Sequence, residues 1–284
     1  PHPLFERLIV DEAMNKESNE WKPERYHEYG YFPGCVDFMD VEVKFTHLNK
    51  GDADHASIAA ASIKLLNYAD IDPLVLDMNV FKCSGHDQLW QGNLEVYDAL
   101  KEHNMRRLKE SGIKILTCSC AECYRTFAVD YDLPNTLGIK VEHITQTLQG
   151  RGLKFKAPEN VTVSYHDPCR LGRMMGEYEA PRDLIQLVDG ATMVELENNK
   201  ERALCCGVSS MMYCNDATKA VRRKRLDQGT DAGIDIMLGG CPKCYMHMQC
   251  MLNEERMNPE EGHHHDYEMM DLMQFLVTCL EDGK

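Results

Sequence analysis

Several features are missing from this 284-residue sequence, and each absence excludes a class of protein. It lacks an uninterrupted apolar run of about 18 residues, which a membrane-spanning helix would require. It also lacks a recognisable secretory signal peptide. Basic residues are scarce, with 31 Lys and Arg against 46 Asp and Glu and a formal net charge of −15. This balance argues against a nucleic-acid-binding protein, which normally presents a basic face.

Cysteine, by contrast, is abundant, and its arrangement indicates the chemistry. The chain has 13 cysteines, several of them in C-x2-C pairs and two of them adjacent. Such grouping favours metal ligation in a reducing compartment over the disulfides of small secreted domains, so we expect a cytoplasmic protein. Buried or disulfide-linked cysteines are the alternative. The length is sufficient for two domains of ordinary size.

The densest cysteine pattern lies in the second half, between His166 and Cys250. Five cysteines there have the spacing C-x35-CC-x34-C-x2-C: Cys169, Cys205, Cys206, Cys241 and Cys244. Thiolates are soft ligands that suit iron–sulfur clusters, zinc and Cu(I). Two adjacent cysteines cannot both take regular positions around one small tetrahedral ion without strain, but they can bind different irons of a cluster. Gly207 allows the backbone to turn tightly beside them.

This pattern resembles the cysteine-rich "CCG" domain of the catalytic B and D subunits of heterodisulfide reductase and their relatives. These relatives include the catalytic K subunit of the membrane complex linked to dissimilatory sulfite reduction, and the iron–sulfur subunits of glycolate, lactate and glycerol-3-phosphate oxidation. The His-Asp-Pro-Cys-Arg stretch at 166–170 and Gly207 also fit the family. The resemblance implies that the five cysteines of the second half hold a non-cubane [4Fe-4S] cluster.

Predicted strands and helices alternate along the chain, and their order repeats. Strands are predicted at 29–32, 73–76, 113–117, 161–165, 193–196 and 234–238. Helices are predicted at 53–69, 93–109, after Cys123, and at 181–188, 215–229 and 266–281. Such alternation predicts an α/β fold of parallel units, whose ligands collect at the carboxyl ends of the strands. The resemblance implies two pseudo-symmetric Rossmann-like CCG domains with flanking helices.

The predicted organisation has three parts. Residues 1–28 form an N-terminal arm, residues 29–150 a degenerate first CCG-like domain, and residues 151–284 a second CCG domain with the complete five-cysteine motif. The C-x2-C-x2-C-x3-C run of a ferredoxin-like domain does not occur. If such a domain serves this protein, it lies on another chain or was lost from this one.

The first half departs from the five-cysteine pattern. Cys35 matches Cys169, and Cys120-x2-Cys123 matches the second C-x2-C pair. Where the second half has a CCG turn, the first has Lys-Cys-Ser-Gly at 82–85, so we interpret one thiolate as missing and replaced by a cation. The remaining thiolates are sufficient for a cubane [4Fe-4S] cluster or a zinc site: Cys35, Cys83, Cys120 and Cys123. A half without metal, acting as scaffold and substrate wall, is the third alternative.

Residues 81–93 carry a second signal beside this cysteine turn. They contain Lys82, His86, Asp87 and Trp90 in a short stretch. The functional interpretation is a substrate-facing loop in which Lys82 and His86 supply a positive charge or a proton. The alternative is a capped helix start with a packed tryptophan. This stretch and residues 120–126 look most similar to the branch of the heterodisulfide reductase D subunit and the sulfite-reduction K subunit.

Two classes of function follow, and a third is weaker. The first is the catalytic iron–sulfur subunit of a heterodisulfide reductase-like complex, which reduces or forms a disulfide or trisulfide. The second is an electron-transfer subunit of a respiratory oxidoreductase or dehydrogenase complex without its own substrate. The third is a zinc-stabilised interaction module. Expected partners are a ferredoxin-type iron–sulfur protein and, from the branch resemblance, a membrane cytochrome subunit.

For the enzyme, the catalytic candidates are Lys82, His86, Cys205 and Cys206. Because the halves repeat, we expect their strand ends to face one another across a pseudo-two-fold axis. The 82–93 loop would then lie opposite the CCG turn, with a sulfur substrate between them.

Other polar residues are assigned from local pattern. His166 is expected to be a structural histidine or a proton donor, and Arg170 and Arg173 are candidates to offset thiolate charge or to bind a substrate carboxylate. The basic run 222–225 predicts a solvated helix face or docking surface, and the histidines at 263–265 predict an exposed loop. Cys214, Cys250 and Cys279 are expected to be packing cysteines.

Overall fold

The computed structural model of this protein describes residues 22–34, 36, 54–208, 215–261 and 264–281. Most of the predicted N-terminal arm, residues 1–21, lies outside the described residues, as do Cys35, Cys214 and His263. Within the described ranges, no helix is both long enough and apolar enough to cross a bilayer.

The first sheet contains four parallel strands in the spatial order β2-β1-β3-β4. In chain order they are β1 (Tyr29–Phe32), β2 (Leu74–Val75), β3 (Ile115–Cys118) and β4 (Lys140–His143). The helices of this half are α1 (Ala56–Tyr68), α2 (His86–Gln91), α3 (Leu94–Ser111), α4 (Ala121–Arg125), α5 (Leu133–Thr136) and α6 (Ile144–Leu148). A π-helical turn, Thr126–Asp130, follows α4 directly.

The second sheet repeats this topology with four parallel strands in the order β6-β5-β7-β8. Its strands are β5 (Phe155–His166), β6 (Val188–Met193), β7 (Ile236–Gly239) and β8 (Glu268–Asp271). Its helices are α7 (Gly172–Met175), α8 (Glu179–Gln186), α9 (Asp216–Asp231), α10 (Pro242–Met257) and α11 (Leu272–Thr278). Short 3₁₀ turns occupy Lys200–Arg202 and Pro259–Glu261.

The predicted α/β class with two pseudo-symmetric, parallel-stranded halves is therefore confirmed. The first sheet ends with β4 at His143 and the second begins with β5 at Phe155. A division of the chain into residues 29–150 and 151–284 remains our proposal for the domain boundary.

Several predicted elements have different bounds in the structure. The prediction of a single tail helix at 266–281 is wrong. Part of this range forms strand β8, which pairs with β7, and helix α11 begins only at Leu272. The Asp271 side chain accepts a hydrogen bond from the Met273 N–H, which caps the helix at that point. The strand predicted at 193–196 lies earlier, since β6 ends at Met193.

Helix α9 also continues past Gly229, the predicted end of this helix, to Asp231. Gly229 lies inside the helix, and a Cβ there would come within 2.7 Å of the Tyr267 ring. The glycine is therefore explained by the close approach of an aromatic ring rather than by helix termination.

The two halves share their hydrophobic core. Helix α1 of the first half packs on α11 of the second, and α6 packs on α8. One buried cluster contains Tyr31, Leu65, Tyr165 and Leu276, and so takes residues from both halves. A second cluster contains several of the motif cysteines, together with Phe32 and Met237. The cysteine loops thus lie where the two halves meet.

Candidate metal centre

The cysteines of both C-x2-C motifs follow the carboxyl ends of central strands. β3 ends at Cys118 and β7 ends at Gly239, and each is followed within a few residues by a C-x2-C motif that opens a helix. β5 ends at His166, three residues before Cys169. Parallel strands end at one edge of a sheet, so these loops converge as the sequence predicts.

The CCG turn depends on its glycine. Gly207 has a φ of +77°, a conformation that residues with a side chain rarely adopt. A Cβ at this position would overlap the carbonyl oxygen of Thr218 in α9. Close packing against α9 and the left-handed backbone both require glycine after the two cysteines.

The five cysteines of the second half form one continuous set of thiols. Hydrogen bonds join the side chain of Cys169 to Cys205, Cys205 to Cys206, and Cys206 to Cys244. The Cys244 thiol is in turn hydrogen-bonded to the Cys241 thiol. The five residues are therefore close enough to act together.

The electrostatics of these thiols show that they compete for negative charge. Hydrogen bonds from the Cys169 and Cys206 thiols lower the pKa of Cys205 to about 2, although burial opposes the shift. The hydrogen bond with Cys205 raises the pKa of Cys169, and burial raises it further. A multi-iron centre would relieve this competition by giving every thiolate a metal partner. The donor set therefore fits an iron–sulfur cluster.

Two arginines of α9 lie beneath the thiols, which corrects the prediction of a solvated basic face. Arg222 and Arg225 are both fully buried. Arg222 Nε donates to the carbonyl oxygen of Cys206 at 3.2 Å, and Arg225 Nε donates to His166 Nδ1 at 3.0 Å. A ring nitrogen of His166 lies within 4.8 Å of the sulfurs of Cys206 and Cys244. These buried cations can stabilise the negative charge of a thiolate-ligated cluster.

His166 itself is a neutral, buried residue. Burial, followed by the charge of Arg225, lowers the pKa of His166 to about 3. The ring is thus uncharged near neutral pH and accepts a hydrogen bond from the arginine at Nδ1.

The loop that carries Cys169 is held by a buried ion pair. Arg182 donates from Nη1 and Nη2 to the carboxylate of Asp167, at 2.8 and 3.0 Å. The Lys200 N–H donates to the same carboxylate at 2.8 Å, and Arg182 also binds Glu195. The Asp of the His-Asp-Pro-Cys stretch therefore positions the loop that carries Cys169, the first cysteine of the motif.

In the first half, Ser84 occupies the place of the missing cysteine. Gly85 has a φ of +80°, like Gly207, so the two glycines put Cys83 in register with Cys205 and Ser84 in register with Cys206. The buried Ser84 hydroxyl lies 3.4 Å from Cys123 Sγ. The equivalent contact in the second half is the hydrogen bond between the thiols of Cys206 and Cys244. The interpretation that Lys82 replaces the cysteine is therefore corrected.

Lys82 lies one position before this turn. Its N–H donates to Asn104 Oδ1 at 2.9 Å, and its carbonyl oxygen accepts from Asn104 Nδ2 at 3.0 Å. Burial lowers the pKa of His103, and the charges of Arg106, Arg107 and Lys82 lower it further.

The two C-x2-C motifs meet at the join between the halves. The Cys120 thiol is hydrogen-bonded both to Cys123 of its own motif and to Cys241 of the other half. The cysteine set of the second half therefore continues into Cys120 and Cys123. Cys83 lies in the adjoining turn, where its sulfur accepts the Gly85 N–H at 3.4 Å. Cys35, the fourth first-half candidate, lies outside the described residues.

The loop that carries His86 reaches across to the second half. His86 is buried, and its Nε2 accepts a hydrogen bond from Arg170 Nε at 3.3 Å. Arg170 also stacks on Trp90, with its guanidinium carbon 3.9 Å from the ring centroid. Burial and the charges of Lys243 and Arg170 lower the pKa of His86 to about 3, so its ring is neutral near pH 7. Of the two roles predicted for His86, a positive charge or a proton, the neutral ring does not supply the first near pH 7, and the second stays a prediction.

A narrow cleft opens beside the thiols and takes residues from both halves. It is lined by Glu122, Pro168, Cys169, Arg170, Cys206, Val208, Cys241, Lys243 and Cys244. A larger cavity, of about 560 Å³, lies between α1, α10 and α11. Its described lining contains no cysteine, although Tyr245 belongs to it. The narrow cleft is therefore the better candidate for the site of sulfur chemistry.

Three of the remaining predictions have mixed outcomes. The expectation that the 263–265 run is exposed is wrong for His265, which is buried between Glu255 and Asp227 at 2.6 and 3.1 Å. Cys250 and Cys279 are buried, as expected of packing cysteines. Arg173 lies on the surface, where its guanidinium donates to backbone carbonyl oxygens.

Sequence reasoning missed two charged residues at the join of the halves. Glu122 and Lys243 each precede the second cysteine of a C-x2-C motif, and both line the cleft. The sequence did contain a signal for them, because the two residues occupy equivalent positions in the two motifs and carry opposite charges. Their partners could not be inferred, because these contacts join residues that are far apart in the chain.

Comparison with known proteins identifies the domain. The family model of the cysteine-rich domain, CCG, matches residues 29–128 and 163–249, one region in each half. The chain is 32% identical over 255 residues to the D subunit of the dihydromethanophenazine:CoB–CoM heterodisulfide reductase of Methanosarcina barkeri. That alignment covers 85% of this chain and 62% of the relative.

Two further relatives belong to oxidoreductases of other kinds. The B subunit of the CoM/CoB fumarate reductase of Methanothermobacter marburgensis is 26% identical over 258 residues, covering 89% of this chain and 46% of the relative. The EtfAB:quinone oxidoreductase of Syntrophomonas wolfei is 27% identical over 252 residues, covering 83% of this chain and 33% of the relative. The chain thus spans about three fifths of the heterodisulfide reductase relative and less of the other two proteins.

Proposed function

The chain belongs to the cysteine-rich CCG domain family, and we propose that it is the catalytic iron–sulfur subunit of a heterodisulfide reductase-like complex. In this proposal the second half binds a non-cubane [4Fe-4S] cluster through Cys169, Cys205, Cys206, Cys241 and Cys244. The reaction is the reduction or formation of a disulfide or trisulfide. The similarity to the D subunit of heterodisulfide reductase supports an oxidoreductase role.

The observation that carries this proposal is the convergence of the five thiols beside a cleft shared by the two halves. Five hydrogen-bonded thiols exceed the four ligands that a tetrahedral zinc site uses. The buried arginines beneath them match the negative charge of a multi-thiolate cluster. A site with these properties is suited to an iron–sulfur centre.

Disulfide reduction takes two electrons and two protons, and the bound cluster would supply electrons in single steps. The protein groups at the cleft have separate tasks. Arg170, held by Trp90 and His86, presents positive charge beside Cys169. Positive charge favours thiolate products and lowers the pKa of a departing thiol. We propose a more distant electrostatic effect of the same sign for Lys82, which is not among the residues that line the cleft. We propose that the neutral His86 acts by holding Arg170 in place.

The first half is proposed as the recognition half. Cys120 and Cys123 lie against the second-half thiols, with Cys83 and Ser84 in the adjoining turn. With Cys35 they provide ligands for a second [4Fe-4S] cluster or for zinc. Metal analysis decides between these two cofactors and a half that binds neither.

We further propose that the protein works with other subunits. The relatives include subunits of redox complexes, and this chain matches only part of their length. A ferredoxin-type iron–sulfur protein would deliver electrons. A membrane cytochrome subunit would be the second partner if the chain belongs to the branch of the heterodisulfide reductase D subunit and the sulfite-reduction K subunit. A natively purified protein that is a lone monomer and turns over with physiological donors would contradict this assembly.

Replacement of the adjacent cysteines tests the cluster. Cys205→Ser and Cys206→Ser should each abolish the paramagnetic signal that appears on oxidation, because the paired thiolates bind different irons. EPR and iron and sulfide analysis of anaerobically purified protein provide the measurement. Cys279→Ser, at a buried cysteine outside the motif, is the control and should keep full iron content. Unchanged spectra and iron content in both motif variants would refute the cluster assignment.

Replacement of the first-half residues tests where the substrate binds. Lys82→Ala and His86→Ala should leave the second-half signal intact and lower disulfide-reducing turnover about 10- to 100-fold, or about 1.4–2.8 kcal/mol of transition-state stabilisation. Arg107→Ala, on α3 and paired with Glu110, is a control that should retain turnover. Normal turnover in both test variants would place the substrate elsewhere.

A second candidate function is electron transfer without a substrate of its own. The similarity to the EtfAB:quinone oxidoreductase, whose name gives no sulfur substrate, favours this alternative. The two candidates differ in whether the isolated complex, supplied with a reductant, converts a disulfide to thiols. Cluster reduction without any disulfide turnover would favour electron transfer.

A further inference from the structure

Two charged residues at equivalent positions of the two halves meet at their join. Glu122 precedes Cys123 in the first C-x2-C motif, and Lys243 precedes Cys244 in the second. Lys243 Nζ lies 2.8 Å from Glu122 Oε2. Equivalent residues face each other in this way when they lie about a two-fold axis. The hydrogen bond between the first cysteines of the two motifs repeats this arrangement.

Lys243 binds a second carboxylate of the first half. Its ammonium donates to Oδ1 and Oδ2 of Asp87 at 2.6 and 2.7 Å. The lysine is 5% exposed, which is rare for this residue type unless it is paired. One buried cation of the second half is thus held between two carboxylates of the first half.

These groups are adjacent to the thiols. Lys243 lies between Cys241 and Cys244 in sequence, and it lines the cleft together with both of them and with Glu122. His86, Asp87 and Glu122 have the ligand types of a metal site, with ligand atoms within 4.8 Å of one another. Lys243 already provides the positive charge for both carboxylates, so this cluster is better described as a lysine-centred ion pair.

We propose that this ion pair sets the redox potential of the second-half centre. Lys243 raises the potential, and Glu122 of the first half opposes it. This inference rests on the proposed function, because it requires a redox centre at the five cysteines. It assigns the first half an electrostatic task in the redox chemistry of the second half.

The physical reason is the sign of the charge that reduction adds. An electron taken up by the centre makes it more negative, and a fixed cation nearby stabilises that form. The effect is large only where water does not screen it, and Lys243 is buried. A neutral residue at position 243 should therefore make reduction harder. Loss of the Glu122 charge should make it easier, because Lys243 is then less compensated.

The experiment is an EPR-monitored redox titration of the anaerobically purified protein. Lys243→Met should lower the midpoint potential, shifting the ratio of oxidised to reduced centres at a given solution potential about tenfold, or about 59 mV for one electron. Glu122→Gln should shift the potential in the opposite direction. Lys243→Arg keeps the charge and should restore a potential near that of the unmodified protein.

A matched control uses another lysine–glutamate pair of the second half. Lys219 pairs with Glu254, which lies ten residues beyond Cys244 on α10. Lys219→Met and Glu254→Gln should leave the midpoint potential unchanged. Iron and sulfide content are measured for every variant, so loss of the centre is distinguished from a change in its potential.

The outcomes separate this inference from the function on which it rests. Unmodified protein without iron would contradict the proposed function and this inference together. Full iron content with equal potentials in Lys243→Met, Glu122→Gln and the unmodified protein would refute the inference alone. Shifts of the same sign in Lys243→Met and Glu122→Gln would also refute it, because a purely structural disturbance does not depend on the sign of the removed charge.

Discussion

His265 shows how far the environment of one residue can depart from its local sequence. It follows two other histidines, a pattern that predicts an exposed loop, and the neighbouring His264 side chain is indeed 59% exposed. His265 instead connects Asp227 of α9 to Glu255 of α10. Burial alone would lower the pKa of His265, but the hydrogen bonds and charges of Glu255 and Asp227 outweigh burial and raise it.

The raised pKa of His265 predicts a pH-dependent contribution to stability. A group whose pKa is higher in the folded protein stabilises it most below the unfolded-state value of about 6.5, and the contribution is lost as the pH rises through the folded value. His265→Gln should therefore lower the free energy of unfolding more at pH 6 than at pH 9. Anaerobic denaturant unfolding at the two pH values measures the difference.

His264→Gln is the control for this experiment, because its side chain is largely exposed. It should change stability little at either pH. An effect of His265→Gln that is the same at pH 6 and pH 9 would show that the ring does not carry the predicted charge.

At the scale of single elements, helix α9 illustrates why a charged run does not identify a solvent-exposed face. Residues 222–225 are all basic, yet a helix turns about 100° per residue and presents them in different directions. Arg222 and Arg225 are buried beneath the cysteines, and Lys224 is exposed. The two arginines are three positions apart, which places them on the same face of the helix.

Arg225 is expected to be an important structural residue of this element. It donates to His166, to the Asn198 carbonyl oxygen at 2.6 Å and to Gln228 at 2.9 Å. Arg225→Met leaves these acceptors without their donor, and an unsatisfied buried group costs about 1–3 kcal/mol. Denaturant unfolding should show a loss of at least this size.

Lys224→Met, one position earlier, is the matched control and should change stability by no more than about 0.5 kcal/mol. Equal effects of the two substitutions would contradict the buried role of Arg225. Because Arg225 supports His166 beside the thiols, Arg225→Met should also alter the EPR line shape, which Lys224→Met should not.

At the scale of the whole molecule, the protein is two copies of one topology with different chemistry. Both sheets have the same strand order, and both cysteine turns use a glycine with positive φ. The halves differ at Ser84, where the second half has Cys206. One hydroxyl in place of one thiol leaves the first half with four motif cysteines.

Restoring this cysteine should make the halves chemically alike. Ser84→Cys places a thiol where the hydroxyl now lies 3.4 Å from Cys123 Sγ. With Cys35, Cys83, Cys120 and Cys123 this completes a five-cysteine set, so we expect a second paramagnetic signal on oxidation. Iron per chain should also rise if the unmodified first half holds zinc or no metal. Iron analysis and EPR measure both quantities.

Ser84→Ala is the control for this change, since it removes the hydroxyl without adding a ligand and should not increase iron. If Ser84→Cys has the iron content and spectrum of the unmodified protein, the first half does not provide the geometry of the second. Its role would then be that of a scaffold and recognition surface.

The sequence by itself determined the features that depend on neighbouring residues. The alternation of apolar strands and helices predicted parallel α/β units, and the glycine after the paired cysteines marked a turn that requires positive φ. The spacing of Cys169, Cys205, Cys206, Cys241 and Cys244 indicated one site, because loops after parallel strands converge at one sheet edge. These features could be predicted because the periodicity of a strand or helix and the geometry of a turn depend on residues that are close together in the chain.

The tertiary structure alone decided which residues meet at the join of the halves. Lys243 contacts Asp87 across 156 positions in the chain, and Cys120 of the first half contacts Cys241 of the second. Local sequence also could not show whether Arg225 or His265 is buried, since burial depends on which surface packs against each element. A charged side chain becomes buried only where distant residues supply its hydrogen bonds, and those partners are brought together by the folding of both halves.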